Sequence, residues 1–167
     1  RGYRTLSGPA PLKETLAAGL VSLSYWRPEN LLIDPMCGTG TIPIEAALLG
    51  LNLAPGLNRQ FAAESWPAVP EKFWREARQE AKDLARKSQE INIRGTDIDE
   101  KVLSLARHNA RLAGLEGKIH WQRMALSELQ TRQKYGSIIC NPPYGQRLED
   151  LPAVEGLYQE MGRVFKP

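Results

Sequence analysis

The chain has 167 residues, of which 42% are hydrophobic and 25% charged, with a formal net charge of +3 and a pI of about 9.0. This length suits one packed domain, and the mild basic excess permits an anionic partner without requiring one. No apolar run approaches the roughly 18 residues of a membrane span and no basic-then-apolar leader opens the chain, so we expect a cytoplasmic globular domain with no membrane partner.

The first part of the chain predicts a helix, a strand, a glycine loop and a second helix. One face of the first helix, which prolines 9 and 11 open, carries four leucines: Leu12, Leu16, Leu20 and Leu23. Residues 31–34 form a short apolar strand that Pro35 ends, and a helix follows from Ile42 to Leu49. Residues 50–70 contain three prolines and no sustained period, which predicts a long surface excursion.

The second part of the chain continues the alternation of helices and strands. Residues 71–88 have apolar side chains at helical spacing, at Phe73, Ala77, Ala81, Leu84 and Ala85. A strand at 91–97 precedes a helix that Gly114 terminates, and further strands are expected at 118–124 and 137–140 before a last helix that runs to Phe165. Strands separated by helices predict an α/β fold with a parallel sheet and right-handed crossovers.

Unusual segments occupy the carboxyl ends of these strands, where a parallel sheet places its ligand site. They are residues 34–41 (DPMCGTGT), 97–99 (DID), 124–125 (MA) and 141–144 (NPPY). We expect the four segments to converge on one crevice.

The glycine loop does not match the common nucleotide motifs. Gly38 and Gly40 supply the first two glycines of a dinucleotide fingerprint, but Pro43 takes the third place and no Lys-Ser/Thr pair follows, so nicotinamide and ATP are disfavoured. Asp34 suits an amino-acid-like group, whose ammonium needs a carboxylate and whose carboxylate needs helix N-terminal amides. The alternative is that the glycines meet only the steric needs of a strand-to-helix loop.

The end of the second strand offers carboxylates for a ribose. Asp97 is placed to accept both ribose hydroxyls, and Ile98 to pack on an adenine face. The alternative is that these acids merely cap the next helix. We assign capping to Asp99, which immediately precedes the helical segment, and ribose binding to Asp97.

The fourth strand stops on Asn141-Pro142-Pro143-Tyr144, and this segment suggests chemistry on a nucleobase amine. Such an amine is a poor nucleophile because its lone pair is delocalised into the ring. The Asn141 side-chain oxygen and the Pro142 carbonyl are two acceptors that would grip its N–H groups, while Tyr144 stacks on the base. The alternative is a simple turn with an exposed tyrosine.

Together these segments resemble the S-adenosylmethionine-dependent methyltransferases with an N-P-P-Y amino-methylating site. Within them, the chain is similar to the RNA guanine-N2 methyltransferases, which usually carry an RNA-binding THUMP domain upstream. The resemblance covers nearly all of the chain and rests on residues 1–4 with 10–14, 34–41, 54–58, 95–99 and 141–145. The N-P-P-Y element alone is shared with DNA adenine-N6 methyltransferases, whereas the opening and residues 54–58 look like the RNA group.

The resemblance implies a Rossmann-like class I methyltransferase fold and S-adenosylmethionine as the cofactor. It assigns cofactor binding to the two acidic strand ends, the glycine loop and one apolar neighbour: Asp34, Met36, Cys37, Gly38, Thr39, Gly40, Thr41, Asp97 and Ile98. It assigns the catalytic roles to Asn141, Pro142 and Tyr144. Substrate contacts then fall to Pro143, Gly145 and Arg147.

Two departures from the family pattern stand out. Many relatives end the third strand with an acidic residue that reaches the adenine amine; here Met124-Ala125 stands there, so the contact is lost or taken by Ser127 or Glu128. The family's sheet also continues for about three more strands. Because the chain begins at Arg1 without a methionine and ends at Pro167, we expect a fragment of a longer protein, with a fold truncated at its C-terminal end and an exposed fourth strand.

Histidine and cysteine are too sparse for a metal site. His108, His120, Cys37 and Cys140 form no cluster at metal-ligand spacing, so no metal is expected. The two thiols would sit at adjacent strand ends if the first and fourth strands are neighbours. A chance disulfide is then conceivable, but small buried hydrophobic side chains are the preferred interpretation.

Some large and basic residues have less specific assignments. Trp66 and Trp74 flank the start of the 71–88 helix and are expected to pack rather than to stack on bases. Arg1 and Arg4, together with Arg147, are candidates for phosphate contacts, with surface solubility as the alternative.

The sequence therefore predicts methyl transfer from S-adenosylmethionine to the N2 amine of a guanine in structured RNA. Ribosomal RNA is the first choice of substrate and transfer RNA the second. The alternatives are a DNA adenine-N6 methyltransferase and a cofactor-binding module with little catalysis that serves in RNA binding or assembly.

Overall fold

Four parallel strands form a single sheet in the computed structural model, which describes residues 2–3, 12–144 and 151–165. The strands are β1 (Leu31–Asp34), β2 (Asn92–Asp97), β3 (His120–Arg123) and β4 (Ser137–Ile138). Their spatial order is β3-β2-β1-β4, and every neighbouring pair is parallel. The predicted parallel α/β architecture is confirmed.

The described residues also contain five α-helices and two short 3-10 turns, of which the first helix precedes the first strand, the last helix follows the last strand and the others connect strands. The helices are α1 (Glu14–Leu23), α2 (Thr41–Gly50), α3 (Glu71–Asp83), α4 (Glu100–Leu112) and α5 (Leu151–Val164). The 3-10 turns span Ala62–Ser65 and Leu126–Glu128. No helix within 2–3, 12–144 and 151–165 has the length and apolar character needed to cross a membrane.

The core is built around β1 and α2. All four residues of β1 are buried, because the strand lies between β2 and β4. Helix α2 is apolar nearly all round, and of its ten residues only Leu49 is exposed. A helix of this kind is stable only when it is enclosed, and α1 supplies part of the cover.

The predicted leucine face of α1 is wrong. Leu16 and Leu23 are exposed, and the buried residues of the helix are Ala17 and Val21. Small side chains at these two positions let α1 pack closely on α2, whereas the larger leucines would hold the helices apart. Leu12 precedes the helix and still packs against the core, while the prolines expected to open it lie outside the described residues.

The surface excursion at 50–70 is confirmed, and Arg78 of α3 anchors it. The Arg78 guanidinium donates to the carbonyl oxygens of Leu57 at 2.8 Å and Arg59 at 2.7 Å. Phe61 stacks on Trp74 with ring centroids 5.9 Å apart. The segment at 54–58, which supported the resemblance, therefore has a structural role in fastening the excursion to α3.

Helix α3 differs from its prediction in length and in burial. It ends at Asp83 rather than near residue 88, and it has no fully buried residue. Phe73 and Leu84, which were expected on an apolar face, are exposed. The packing predicted for Trp74 is confirmed, but Trp66 is 60% exposed, so its expected packing is wrong.

The last two strands are shorter than predicted. β3 begins at His120 rather than at residue 118, and β4 is assigned only to Ser137–Ile138. The Ile139 N–H still donates to the Ile33 carbonyl at 3.0 Å, so the chain continues alongside β1 beyond the assigned strand. β4 is one of the two edge strands of the sheet, the other being β3, and Ile138 is exposed there.

Candidate functional site

The strand register brings the acidic strand ends together along one edge of the sheet, the edge formed by the carboxyl ends of the strands. Asp34 of β1 is level with Gly95 of β2, two residues before Asp97. On the other side of β1, Ile33 is level with Ile138, so Cys140 and Asn141 follow just beyond the end of β1. Burial raises the pKa of Cys140, and the charge of Asp34 adds to that shift, which indicates that the two side chains lie near each other. The predicted convergence of strand ends is therefore present in the fold.

The loop from Pro35 to Gly40 turns the chain from β1 into α2. Gly38 and Gly40 have φ values of +52° and +84°, in the left-handed region that favours glycine. A Cβ on Gly40 would lie 2.6 Å from the Trp121 ring and 2.9 Å from the Ala106 Cβ. Gly40 therefore does meet a steric need of the loop. Its lack of a side chain lets the backbone lie close to α4 and β3.

Most amide groups of this loop bind protein acceptors, and the start of α2 leaves others free. The Cys37 N–H donates to the Thr96 carbonyl at 2.9 Å, and the Gly40 N–H to the Cys37 carbonyl at 2.8 Å. The first amides of a helix have no intrahelical acceptor, and here these are the N–H groups of Thr41 and Ile42. Because Pro43 has no N–H, two aligned donors without an acceptor among the described residues remain at the positive end of the helix dipole, which suits a carboxylate.

Asp34 is a buried carboxyl group at the end of β1. It is 1% exposed, and the Met36 N–H donates to its Oδ1 at 3.2 Å. Burial raises its pKa to about 8, and the nearby charge of Asp97 acts in the same direction, although the hydrogen bond from Met36 opposes both. A buried carboxyl with so little compensation is suited to a cationic ligand group such as an ammonium.

Asp97 joins the end of β2 to the glycine loop. Its Oδ2 accepts the Gly38 N–H at 2.9 Å, and its Oδ1 accepts the Asp99 N–H at 3.0 Å. Each carboxylate oxygen has a second lone pair, so the group keeps acceptor capacity for hydroxyl donors. The Asp99 side chain accepts the Lys101 N–H at 2.8 Å at the start of α4, which confirms its predicted capping role.

Ile98, the residue after Asp97, presents an apolar side chain to solvent, and its backbone is hydrogen-bonded to β3. Ile98 is 67% exposed, as a side chain that packs on a flat ring would be. Its carbonyl accepts the Arg123 Nε–H at 3.0 Å, which fixes the loop between β2 and α4. The fold thus leaves Ile98 available for the adenine contact that the sequence predicted.

The end of β3 lies against the end of β2. The Met124 N–H donates to the Asp97 carbonyl at 3.0 Å. If the missing acidic contact is not lost, Ser127 and Glu128 are the candidates to take it. The Glu128 side chain turns back and accepts the Ala125 N–H through Oε2 at 2.9 Å, while Ser127 is exposed. The Glu128 carboxylate therefore already has one backbone donor.

The N-P-P-Y segment begins two residues after Ile139 and has no regular secondary structure. Asn141 and Pro143 are exposed, Pro142 is half-buried, and Tyr144 is 60% exposed. A tyrosine ring with this exposure is free to stack on a base. The remaining predicted substrate residues, Gly145 and Arg147, and the candidate phosphate contacts Arg1 and Arg4 lie outside the described residues.

The two cysteines have neutral, unreactive thiols. Both are free; Cys37 is buried and Cys140 half-buried. Burial raises both pKa values, that of Cys140 to about 11, and the charge of Asp34 adds to both shifts. The expectation of small buried hydrophobic side chains therefore holds fully for Cys37 and partly for Cys140. In the part of the chain that the structure describes, no group of three His, Cys, Asp or Glu residues is placed to hold a metal.

Two residues that support the glycine loop were missed by sequence reasoning. Asn109 of α4 is fully buried, and its Nδ2 donates to the Thr39 carbonyl at 3.1 Å. Trp121 of β3 lies over Gly95, where a Cβ would be 2.5 Å from the ring. A polar residue on the apolar face of a helix and a glycine inside a strand are the sequence signals that would have indicated them.

The whole chain, residues 1–167, matches the family model described as "UPF0020: RMKL-like, methyltransferase domain". A curated relative from Bacillus subtilis (strain 168), "Putative RNA methyltransferase YpsC", is 46% identical over 167 residues, which are 100% of this chain and 43% of the relative. The chain thus spans less than half of that relative's length.

Two solved structures superimpose on this chain with the same TM-score. A "predicted N6-adenine-specific DNA methylase" from Listeria monocytogenes str. 4b F2365 superimposes with a TM-score of 0.92 at 51% identity, over 98% of this chain and 43% of its own. "SMU.472, a putative methyltransferase complexed with SAH" has a TM-score of 0.92 at 46% identity, over the same shares of 98% and 43%.

Proposed function

Because the chain belongs to the RMKL-like methyltransferase domain family (UPF0020), we propose that it transfers a methyl group from S-adenosylmethionine to the N2 amine of a guanine in RNA. We place this activity in a longer protein, of which the chain is the methyltransferase domain. The observation that carries the proposal is the meeting of Asp34, the glycine loop, Asp97 and Asn141 at one edge of the sheet.

The residues at this edge fit the parts of S-adenosylmethionine. The buried Asp34 carboxyl would hold the cofactor's ammonium, and the first amides of α2, those of Thr41 and Ile42, would hold its carboxylate. Asp97 retains acceptor capacity for the ribose hydroxyls, and the exposed Ile98 offers an apolar surface to adenine. The complex of SMU.472 with SAH supports S-adenosylmethionine as the cofactor, and the residue assignment rests on the geometry of this chain.

The cofactor, when bound, supplies an electrophilic methyl group on a sulfonium. The Asn141 Oδ1 and the Pro142 carbonyl accept the two N–H groups of the target amine, which localises its lone pair toward that methyl group. The nitrogen held in this way would take the methyl group from the cofactor's sulfonium, which would leave as the neutral thioether, and would then lose one proton to solvent. No strong general base is needed, since positioning and desolvation lower the barrier.

RNA is the proposed substrate for two reasons. The Bacillus subtilis relative has the name "Putative RNA methyltransferase YpsC", and residues 1–4 and 54–58 resemble the RNA guanine-N2 group. We further propose ribosomal RNA before transfer RNA, a cytoplasmic location and an RNA-binding domain upstream of this chain. A net charge of +3 offers little electrostatic attraction for structured RNA, so the main phosphate contacts are placed outside the chain.

A second candidate activity is methylation of adenine N6 in DNA. The Listeria monocytogenes structure carries that description, and the N-P-P-Y segment is compatible with either amine. The same two acceptors would hold an adenine amine as well as a guanine amine, so the choice of base depends on contacts beyond this segment.

The test is to supply the full-length protein with methyl-tritiated cofactor and three substrates: unmodified ribosomal RNA, unmodified transfer RNA and DNA. Digestion to nucleosides then identifies the labelled base. We expect label in N2-methylguanosine from ribosomal RNA. Label in DNA N6-methyladenine would establish the second candidate, and cofactor binding without any labelled product would support a binding module instead.

A further inference from the structure

Asn109 occupies an unusual environment directly behind the glycine loop. It lies on the buried face of α4, where its neighbours are the apolar Ala106 and Ala110, and it has no exposed surface. Its Nδ2 donates to the Thr39 carbonyl at 3.1 Å. A carbonyl oxygen can only accept, so this contact fixes which end of the amide faces the loop.

The other end of the same amide is unsatisfied. The Asn109 Oδ1 is buried and has no hydrogen-bond partner among the residues that the structure describes. A buried acceptor without a donor destabilises a fold, so the amide is kept here at a cost on its oxygen side. The group that gains from the amide is the Thr39 carbonyl, which would lose its Asn109 donor if an apolar residue stood at this position.

The Asn109 contact completes the fixation of the Gly38–Thr39 unit. On one side the Gly38 N–H is held by Asp97 at 2.9 Å, and on the other the Thr39 carbonyl is held by Asn109 at 3.1 Å. Trp121 and Ala106 meanwhile pack against Gly40. Residues of β2, α4 and β3 thus contact the loop immediately before the first turn of α2 and fix its position.

We propose that Asn109 is a positioning residue that holds the glycine loop in the conformation that binds the amino-acid end of the cofactor. This inference rests on the proposed function, because it assumes that S-adenosylmethionine binds at the loop. Asn109 itself lies behind the loop and does not touch the ligand. By fixing the Thr39 carbonyl, it keeps that oxygen turned toward α4 and so sets the direction of the next amides, which begin α2.

The test compares two ligands on the same protein. S-adenosylhomocysteine has the amino-acid part, whereas 5′-methylthioadenosine has the same adenosine part without it. In Asn109→Ala, the affinity for S-adenosylhomocysteine should fall about tenfold and that for 5′-methylthioadenosine should stay within about twofold. The ratio of the two affinities does not depend on the folded fraction, so a purely structural role would leave it unchanged.

The matched control is Asn92→Ala. The Asn92 Nδ2 donates to Gln133 Oε1 at 2.9 Å at the amino-terminal end of β2, so the substitution also removes a hydrogen bond from an asparagine amide, but a solvent-exposed one away from the loop. Both affinities should match those of the wild type. If Asn109→Ala does not fold, Asn109→Thr, which has nearly the original volume and lacks the amide, takes its place.

Binding by calorimetry or competition decides the matter. A selective loss of S-adenosylhomocysteine affinity supports the inference. Unchanged affinity, or an equal fall for both ligands, would overturn it while leaving the proposed function in place. A wild-type protein that binds neither ligand would instead refute the proposed function, and the inference with it.

Discussion

The Asp97 carboxylate accepts the Gly38 N–H at 2.9 Å, so the acidic end of β2 is bonded to the glycine loop that follows β1. Sequence reasoning gave each of these segments a separate part of the cofactor. The hydrogen bond makes them one unit, because a change at Asp97 also releases the loop.

Replacing Asp97 should therefore weaken cofactor binding in two ways. Asp97→Ala removes the acceptor for the ribose hydroxyls and frees the Gly38 N–H. At about 1.5–3 kcal/mol for hydrogen bonds to a charged group, S-adenosylhomocysteine affinity should fall roughly ten- to a hundredfold by calorimetry. The control Asp99→Ala removes a helix cap and should lower stability by about 1 kcal/mol with little effect on binding. Unchanged affinity in a folded Asp97→Ala protein would reject the ribose assignment.

Cofactor binding should depend on pH through Asp34. With a pKa of about 8, this carboxyl is largely protonated at neutral pH in the free protein. The ammonium of the ligand favours the carboxylate, so binding lowers the pKa and releases a proton. Affinity for S-adenosylhomocysteine should rise from about pH 6 to about pH 8 and level off above the pKa of the free protein.

Asp34→Asn is the matching control, since its side chain keeps the shape of Asp34 without the titration. It should bind more weakly and lose the pH dependence across the same range. Calorimetry in two buffers of different ionisation enthalpy would measure the released proton directly. Wild-type affinity that stays flat with pH would show that no proton leaves Asp34 when the ligand binds.

The space above Gly95 is already filled by Trp121. A Cβ at position 95 would lie 2.5 Å from the ring, so Gly95→Ala must displace the side chain that also packs on Gly40. We expect a loss of about 1–3 kcal/mol in the free energy of unfolding, measured with urea. Gly156→Ala in α5 has open space around its Cβ and should leave stability unchanged or raise it. Equal stability of the two variants would be incompatible with this packing.

The outer side of β4, which pairs with no strand among the described residues, should promote self-association. Ile138 is exposed on this edge strand, and unpaired edges template strand pairing between chains. Sedimentation of the 167-residue chain should show concentration-dependent assembly, and Ile138→Lys should reduce it. A chain that stays monomeric at all concentrations would mean that the edge is already protected.

The sequence was sufficient for the order of strands and helices and for the convergence of their carboxyl ends. Apolar segments such as 31–34 and the capping residue Asp99 carry that information locally, and their positions in the structure agree with it. The motif at 34–41 likewise formed the expected turn between β1 and α2. These features depend on neighbouring residues, which a single sequence displays.

Contacts between distant segments could not be predicted in the same way. The buried face of α1 depends on how closely α2 approaches, and periodicity alone gave preference to the leucines over Ala17 and Val21. Asn109 contacts Thr39, which is 70 residues away in the chain, and Trp121 packs on Gly95 of the neighbouring strand. These roles become visible only when the loop is placed against α4 and β3. The number of residues between two such segments does not indicate how close they lie in the folded structure.

The central claim is that Asn141 acts on the target amine while the strand ends hold the cofactor. Its most direct test is the single-turnover rate of methyl transfer by full-length Asn141→Ala, measured with saturating cofactor and the RNA substrate. We predict a fall of roughly a hundredfold or more in that rate, with cofactor affinity nearly unchanged. A rate that stays within a few-fold of the wild type would identify Asn141 as a turn residue and contradict the proposed mechanism.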